Sequence, residues 1–210
     1  KRLGIWLVGG SVPLASSESD KVYNSCLVYA DTGEQVARYD KIHLFGLRLG
    51  HEHYAEERSI KAGNSVVTVD TPFGRIGLSI CYDLRFPELF RMMNKVDIIL
   101  APAAFTAITG KAHWEVLVRA RAVENMAYVI APGQGGYHVN GRETNGDSMI
   151  VDPWGGIITE ALTDEPQVIA AEIDLSQVAA ARKKIPNLNN ARAFSVMNVQ
   201  ISPEKGGRAA

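Results

Sequence analysis

Two unbroken apolar runs constrain this chain most. Residues 96–102 (VDIILAP) and 127–132 (AYVIAP) lack the polar alternation of a half-wet strand. Each therefore reads as a strand covered on both faces. Between them, residues 112–126 (AHWEVLVRARAVENM) read as a helix. Trp114, Leu117, Val118 and Val123 line one side, and Glu115 and Arg119 stand i, i+4. Strands this apolar need helices laid over their sheet, which makes the chain α/β. A length of 210 residues with 46% hydrophobic and 21% charged side chains suits one domain with a real core.

The other segments make the sheet mixed. Residues 4–10 (GIWLVGG) read as a buried strand ending in glycines. Residues 22–30, a turn at Asp31-Thr32-Gly33 and residues 35–42 read as a hairpin. Residues 65–71 and 75–81 read as a second hairpin around Pro72-Phe73-Gly74, and 148–152 with 157–160 as a third around Pro153-Trp154-Gly155. Residues 87–95 are helix-like, with Pro87 in the first turn. Residues 168–174 read as a last strand, followed by a helix over 175–184. Two stretches read as loops: polar, histidine-rich 45–64 and glycine-rich 133–146. A loop as long as the first is usually functional. A layered sandwich fits this order better than a barrel.

Composition excludes several functions. With 22 basic and 23 acidic residues the net charge is −1, without the basic excess of an electrostatically driven nucleic-acid binder. The longest apolar run, 98–108, is broken by Pro102 and falls well short of the roughly 20 residues that cross a bilayer. Two cysteines, Cys26 and Cys81, are too few for a disulfide framework, so a reducing, cytoplasmic setting is expected. The chain opens at Lys1 directly into an apolar segment, and residues upstream of it are expected.

Cys81 ends a strand and precedes a turn into a helix. At such a turn the positive helix end stabilises a thiolate, and backbone amides face a developing oxyanion. Position alone leaves Cys81 open between a nucleophile and an inert buried thiol. Lys41 lies at the end of a strand among Tyr39, Ile42, Leu44 and Phe45. A lysine so placed acts as a fixed cation beside a thiolate or oxyanion, or merely snorkels at a sheet edge. Glu56 and Glu57, with Glu52 nearby, put carboxylates on the long loop, either to position an amine or water or simply in solvent.

Other motifs fail on inspection. His51-Glu52-His53 lacks the second histidine of a zinc-binding helix, because that position is Ala55, so no metal is expected. His43, His113 and His138 are conceivable partners of Cys81, without a local signature. In Gly77-Leu78-Ser79-Ile80-Cys81 the serine falls mid-strand, against a serine nucleophile. The run from Gly133 to His138 ends in histidine where a dinucleotide fingerprint needs glycine.

Taken together, 39–45 (YDKIHLF), 74–89 (GRIGLSICYDLRFPEL), 112–125 (AHWEVLVRARAVEN) and 147–155 (DSMIVDPWG) resemble the nitrilase superfamily of carbon–nitrogen hydrolases. Residues 105–114 (FTAITGKAHW) and 151–155 look closest to its deaminated glutathione amidase and omega-amidase branch. The resemblance implies one carbon–nitrogen hydrolase domain over 1–210 with a four-layer αββα sandwich, here lacking its N-terminal strand–helix portion, paired into a homodimer or higher oligomer. It implies a Glu-Lys-Cys site without cofactor, acting on a small carboxylate-bearing amide through a cysteine acyl-enzyme with release of ammonia. By resemblance Cys81 is the nucleophile, Lys41 and the Tyr82 backbone N–H stabilise the oxyanion, and Glu56 positions substrate. Arg85, Phe105 and Thr109 fall at substrate-pocket positions, with Arg85 suited to a carboxylate. Arg142 and Glu143, in the glycine-rich loop, are further candidates.

One departure stands out. The family's general-base glutamate lies on an earlier strand, and 1–210 has no counterpart: Glu18 falls in a serine-rich loop and Glu34 in a hairpin turn. Three alternatives therefore stand beside the amidase: a catalytically dead binding or scaffold protein of the same fold, an N-carbamoyl amidase, and a thiol-dependent transferase or redox protein.

Overall fold

The computed structural model describes residues 1–49, 52–161 and 165–198. The first sheet has four strands: β1 (Leu7–Val8), β2 (Val12–Ala15), β3 (Val22–Tyr29) and β4 (Gln35–Asp40). β3 is its spine, with β1 and β2 along one edge and β4 along the other, all antiparallel to it. Gly33, at φ 83°, makes the turn from β3 to β4 in a region that glycine enters without strain. Next come a short hairpin, β5 (Gly46–Leu49) and β6 (Glu52–Ala55), and a 3₁₀ turn over Glu56–Arg58.

The second sheet holds β7 (Thr68–Thr71), β8 (Gly74–Leu78), β9 (Ile98–Leu100), β10 (Tyr128–Ala131), β13 (Met149–Val151) and β14 (Ile157–Glu160), in the order β14-β13-β10-β9-β8-β7. β8, β9 and β10 run parallel, and the outer strands are antiparallel. Helices α1 (Pro87–Met92) and α2 (Ala107–Asn125) make the parallel crossovers, as the two apolar runs demand. Between β10 and β13 lies a hairpin, β11 (Gly135–Tyr137) with β12 (Glu143–Asn145), and α3 (Leu175–Lys184) follows β14.

Two cores result. One packs α1 and α2 on the six-stranded sheet through Phe90, Met93, Ile99, Trp114, Val118, Val129 and Met149. The other fills the space between the sheets with Cys26, Val28, Tyr39, Ile76, Leu78, Ile98 and Tyr128, and takes Val178 from α3. The α/β sandwich is thus present, and the described residues supply a helix layer and two sheets.

Several expectations need correction. Residues 4–10 are not a buried strand: only Leu7–Val8 pair, and alternation turns Trp6 and Val8 inward and Ile5 and Leu7 outward, 54% and 51% exposed. Both long loops contain hairpins, β5–β6 and β11–β12, written in polar and glycine-rich residues. α2 starts five residues early, capped by Thr106, whose Oγ1 accepts from the Thr109 amide. Val123 is exposed, and Arg121, Ala122 and Asn125 are buried instead. Residues 168–174 form no strand.

Burial pushes the Cys26 thiol up to about 11. The folded chain therefore keeps a proton that an unfolded thiol loses near pH 8.5. Stability is fully present below that pH and falls as pH rises toward 11. Denaturant titrations from pH 8 to 11 are expected to show this decline, and Cys26→Ala should flatten it.

Candidate active site

The parallel strands end together. Hydrogen bonds continue past them from the Ser79 amide to the Leu100 carbonyl (3.0 Å), the Cys81 amide to the Pro102 carbonyl (2.9 Å) and the Ala103 amide to the Pro132 carbonyl (2.9 Å). This brings Cys81, Ala103, Ala104, Gly133 and Gln134 side by side beyond the carboxyl ends of β8, β9 and β10, where open α/β sheets place ligands. Gly133 is required there, because a Cβ would lie 2.0 Å from the Gly146 carbonyl oxygen.

Cys81 opens a 3₁₀ turn (Cys81–Arg85) at φ 53°, the left-handed region that a side chain enters at a cost of order 1–3 kcal/mol. Asp83 holds that turn. Fully buried, its Oδ2 accepts from the Ile80 amide (2.8 Å) and the Tyr39 hydroxyl (2.7 Å). Its Oδ1 accepts from the His43 amide (3.1 Å) and meets His43 Nδ1 at 2.7 Å. One carboxylate thus ties the end of β4 and the segment after Lys41 to the cysteine turn. Arg121 braces the far side, donating Nε and Nη2 to the Leu84 carbonyl and Nη1 to Glu124.

Lys41 is buried, and its Nζ is paired with Glu56 Oε2, which also accepts from the Phe45 amide at 2.6 Å. Lys41, Glu56 and Cys81 line one cavity of about 570 Å³, together with Asn24, Tyr54, Gln134 and Arg142. Burial raises the Cys81 thiol above its ordinary range and Glu56 adds to that. The Lys41 ammonium, the Ala104 backbone amide and the Arg142 guanidinium pull the other way. On its other side Cys81 lines a crevice of about 10 Å³, roughly room for one water, with Tyr82, Arg85, Phe105 and Thr109. The seven residues to which the resemblance gives a role, and Arg142, therefore line the two spaces that share Cys81, whereas Glu143 is exposed and lines neither.

Their partners are specific. Arg85 Nη2 lies 3.1 Å from His113 Nδ1, with its guanidinium over the Phe105 and Tyr82 rings. Phe105 stacks edge-on against Trp114, and Thr109 Oγ1 lies 2.8 Å from Thr106 Oγ1. The histidines are engaged away from the sulfur: His43 with Asp83 and flat on Phe86, His113 with Arg85, His138 with Thr144. Ser79 is buried and donates to the Leu100 carbonyl (2.8 Å). Glu57 and His53 are exposed, and His51 lies outside the described residues. Glu18 pairs with Lys61 and Lys21, and Glu34 is exposed at its turn. Sequence reasoning missed Asp83, Arg121 and Tyr54, whose partners lie far along the chain. An aspartate three residues into a strand-to-helix turn was the one available signal for Asp83.

Comparison with known proteins gives a consistent picture. The family model for carbon-nitrogen hydrolase matches residues 1–183. A deaminated glutathione amidase of Synechocystis is 41% identical over 196 residues, covering 90% of this chain and 72% of the relative. The omega-amidase NIT2 of Mus musculus is 38% identical over 196 residues, covering 92% and 70%. The crystal structure of the Caenorhabditis elegans NitFhit protein superposes with a TM-score of 0.85 at 41% identity, over 91% of this chain and 47% of that one.

Two measurements test this geometry. Asp83→Asn keeps the shape but removes the charge that four donors face, and is expected to cost about 2–4 kcal/mol by chemical denaturation. Alkylation of Cys81 by iodoacetamide should show a pH midpoint above the ordinary thiol value of about 8.5, and Lys41→Met should move it higher still by removing the largest attraction on the thiolate.

Proposed function

The chain belongs to the carbon–nitrogen hydrolase family, and from that premise we propose that it hydrolyses the amide bond of a small carboxylate-bearing amide, such as deaminated glutathione or an omega-amide. The observation that carries this reading is the shared cavity of Cys81, Lys41 and Glu56. Cys81 Sγ attacks the carbonyl carbon from the mouth of the strained turn. The oxyanion that develops is held by Lys41 Nζ and the Tyr82 backbone N–H. Glu56 fixes Lys41 in place and faces the amide nitrogen. The thiol proton passes to the amide nitrogen, which leaves as ammonia, and water then cleaves the thioester to the acid and restores the thiol. Arg85 takes a substrate carboxylate at the edge of the crevice, with Phe105 and Thr109 shaping its walls.

Glu56 is the only carboxylate lining the large cavity among the described residues, and its Oε2 is already engaged by Lys41 and Phe45. That observation favours a second reading, a protein of the same fold that binds the amide at Cys81 without turnover. An N-carbamoyl amide is the further substrate to try.

The apolar residues left exposed beside α2, Val116, Val123 and Trp154, suit pairing of two copies, as expected from the family. Two free thiols suit a reducing, cytoplasmic setting. Among the described residues no helix is long and apolar enough to cross a membrane.

Incubation of the protein with succinamate and with N-carbamoyl amino acids, followed by ammonia determination and mass spectrometry of Cys81, tests both readings. Ammonia release that falls at least about 10³-fold in Cys81→Ala and in Lys41→Met supports the amidase. Affinity for the amide with neither ammonia nor an adduct on Cys81 supports the binding protein, whereas an acyl adduct that never yields acid supports a thiol-dependent transferase.

A further inference from the structure

Helix α2 grips the cysteine turn at two successive residues. Arg121 donates to the Leu84 carbonyl, and His113, earlier on the same helix, meets the next residue, Arg85, with Nδ1 3.1 Å from Nη2. A guanidinium has N–H donors and no acceptor. The contact is therefore a hydrogen bond only when Nδ1 carries a free lone pair, which places the proton of a neutral His113 on Nε2. A protonated imidazole offers donors on both nitrogens and leaves Arg85 facing a like charge.

Stacking does not replace that bond. The Arg85 guanidinium carbon lies 6.0 Å from the centre of the Tyr82 ring and 5.6 Å from that of Phe105, and Phe105 is itself held edge-on by Trp114, the residue after His113. Ring faces attract the cation without fixing its rotation. An acceptor at one nitrogen fixes that rotation and leaves the rest of the fork for a bidentate contact. Among the described residues Arg85 forms no ion pair with a carboxylate. His113 is exposed, in a groove whose other charged side chains are Lys111, Glu115 and Arg119, all on α2, with Glu115 bound to Arg119. The β13–β14 turn adds only Trp154 and Gly155 to that groove. Solvent therefore reaches the imidazole.

Building on the amidase reading and its assignment of the substrate carboxylate to Arg85, we propose that His113 is a positioning residue for that contact. Its Nδ1 lone pair locks the guanidinium in the orientation that the carboxylate meets. His113 lines neither of the two spaces around Cys81, so it acts through Arg85 alone. Protonation of the imidazole removes the acceptor, frees the fork to rotate and sets a second cation against it. The charge of an exposed imidazolium is screened and returns little attraction for the carboxylate. Acid therefore weakens the binding of amides that carry an acid group, and of those alone. The preference for an acid group holds only while His113 is neutral.

Succinamate and butyramide, which differ only in a carboxylate against a methyl group, read this contact. At pH 8 the wild-type protein is expected to favour succinamate by about 10- to 100-fold in kcat/KM, mainly through KM. Arg85→Gln should abolish the preference and His113→Leu should cut it by about 10-fold. His113→Gln, whose side-chain oxygen accepts the same bond, should keep most of it. From pH 8 to pH 6 the preference should fall in the wild type and stay level in His113→Gln, the succinamate carboxylate remaining ionised throughout. A ratio in His113→Leu equal to that of the wild type overturns the proposal, and a general loss of packing, which lowers both rates together, gives that result. A wild-type ratio that holds or rises on acidification overturns it as well. The same comparisons by calorimetry in the Cys81→Ala background read binding without turnover. Absence of turnover for both amides defeats the amidase reading alone, because the affinities still report on His113. A preference unchanged in Arg85→Gln, or no affinity for either amide, defeats the carboxylate assignment and the proposal with it.

Discussion

The site depends on one buried carboxylate. Asp83 receives donors from the end of β4, from the segment after Lys41 and from its own turn, so a single side chain fixes the distance between two stretches of chain some 40 residues apart. Without it the Lys41 segment, carried by the four-stranded sheet, and the Cys81 turn, carried by the six-stranded sheet, would meet only through apolar packing, which does not fix register to an ångström. The carboxylate also raises the Tyr39 hydroxyl far above its ordinary range, burial being the larger cause, which keeps Tyr39 a donor. A buried charge is tolerated only when its lone pairs are satisfied, and here four donors do so.

The same arrangement explains how Cys81 persists at positive φ. Strain at one residue survives when its neighbours over-determine it. The Cys81 amide is held by Pro102, the preceding Ile80 amide by Asp83, and the Leu84 carbonyl by two donors of Arg121. Each restraint comes from a different place: the chain just past β9, the turn itself and α2. The sulfur is thereby presented at the ends of the parallel strands rather than folded into the sheet, the fate of Cys26.

Much of this was legible in the sequence, and what was not has a physical cause. The central strands, their crossover helices and three hairpins follow from apolar runs, 3.6-residue periodicity and turn chemistry, which are local signals. The motifs around Cys81, Lys41 and Glu56 named these residues as candidates, and the three line one cavity. The β5–β6 and β11–β12 hairpins were invisible because their pairing is polar and short, with no core face to impose a period of two. The edge strand at Leu7–Val8 looked buried because composition records apolarity and not which side faces out. Arg121 carried no signal in the sequence, because the acceptor that buries it, the Leu84 carbonyl, lies 37 residues away.

The electrostatics around the sulfur form a contest rather than a simple activation. Lys41 is the largest attraction on a thiolate at Cys81, but its charge is shared with Glu56 at contact distance, so burial prevails and the thiol keeps its proton in the resting protein. Arg142 adds to the attraction without a carboxylate of its own among the described residues. The charged side chains lining the cavity, Lys41 and Arg142 against Glu56, leave one positive charge in excess beside a neutral nucleophile, which suits an anionic ligand better than a cationic one. Binding such a ligand would offset Arg142 and leave Lys41, paired with Glu56, as the cation nearest to charge appearing on the carbonyl oxygen. On that view the glycine-rich hairpin that delivers Arg142 belongs to the site as fully as the cysteine turn does. Its Gly146 lies so close to Gly133 that a Cβ on Gly133 would meet the Gly146 carbonyl oxygen at 2.0 Å, and Arg142 lines the same cavity as Cys81.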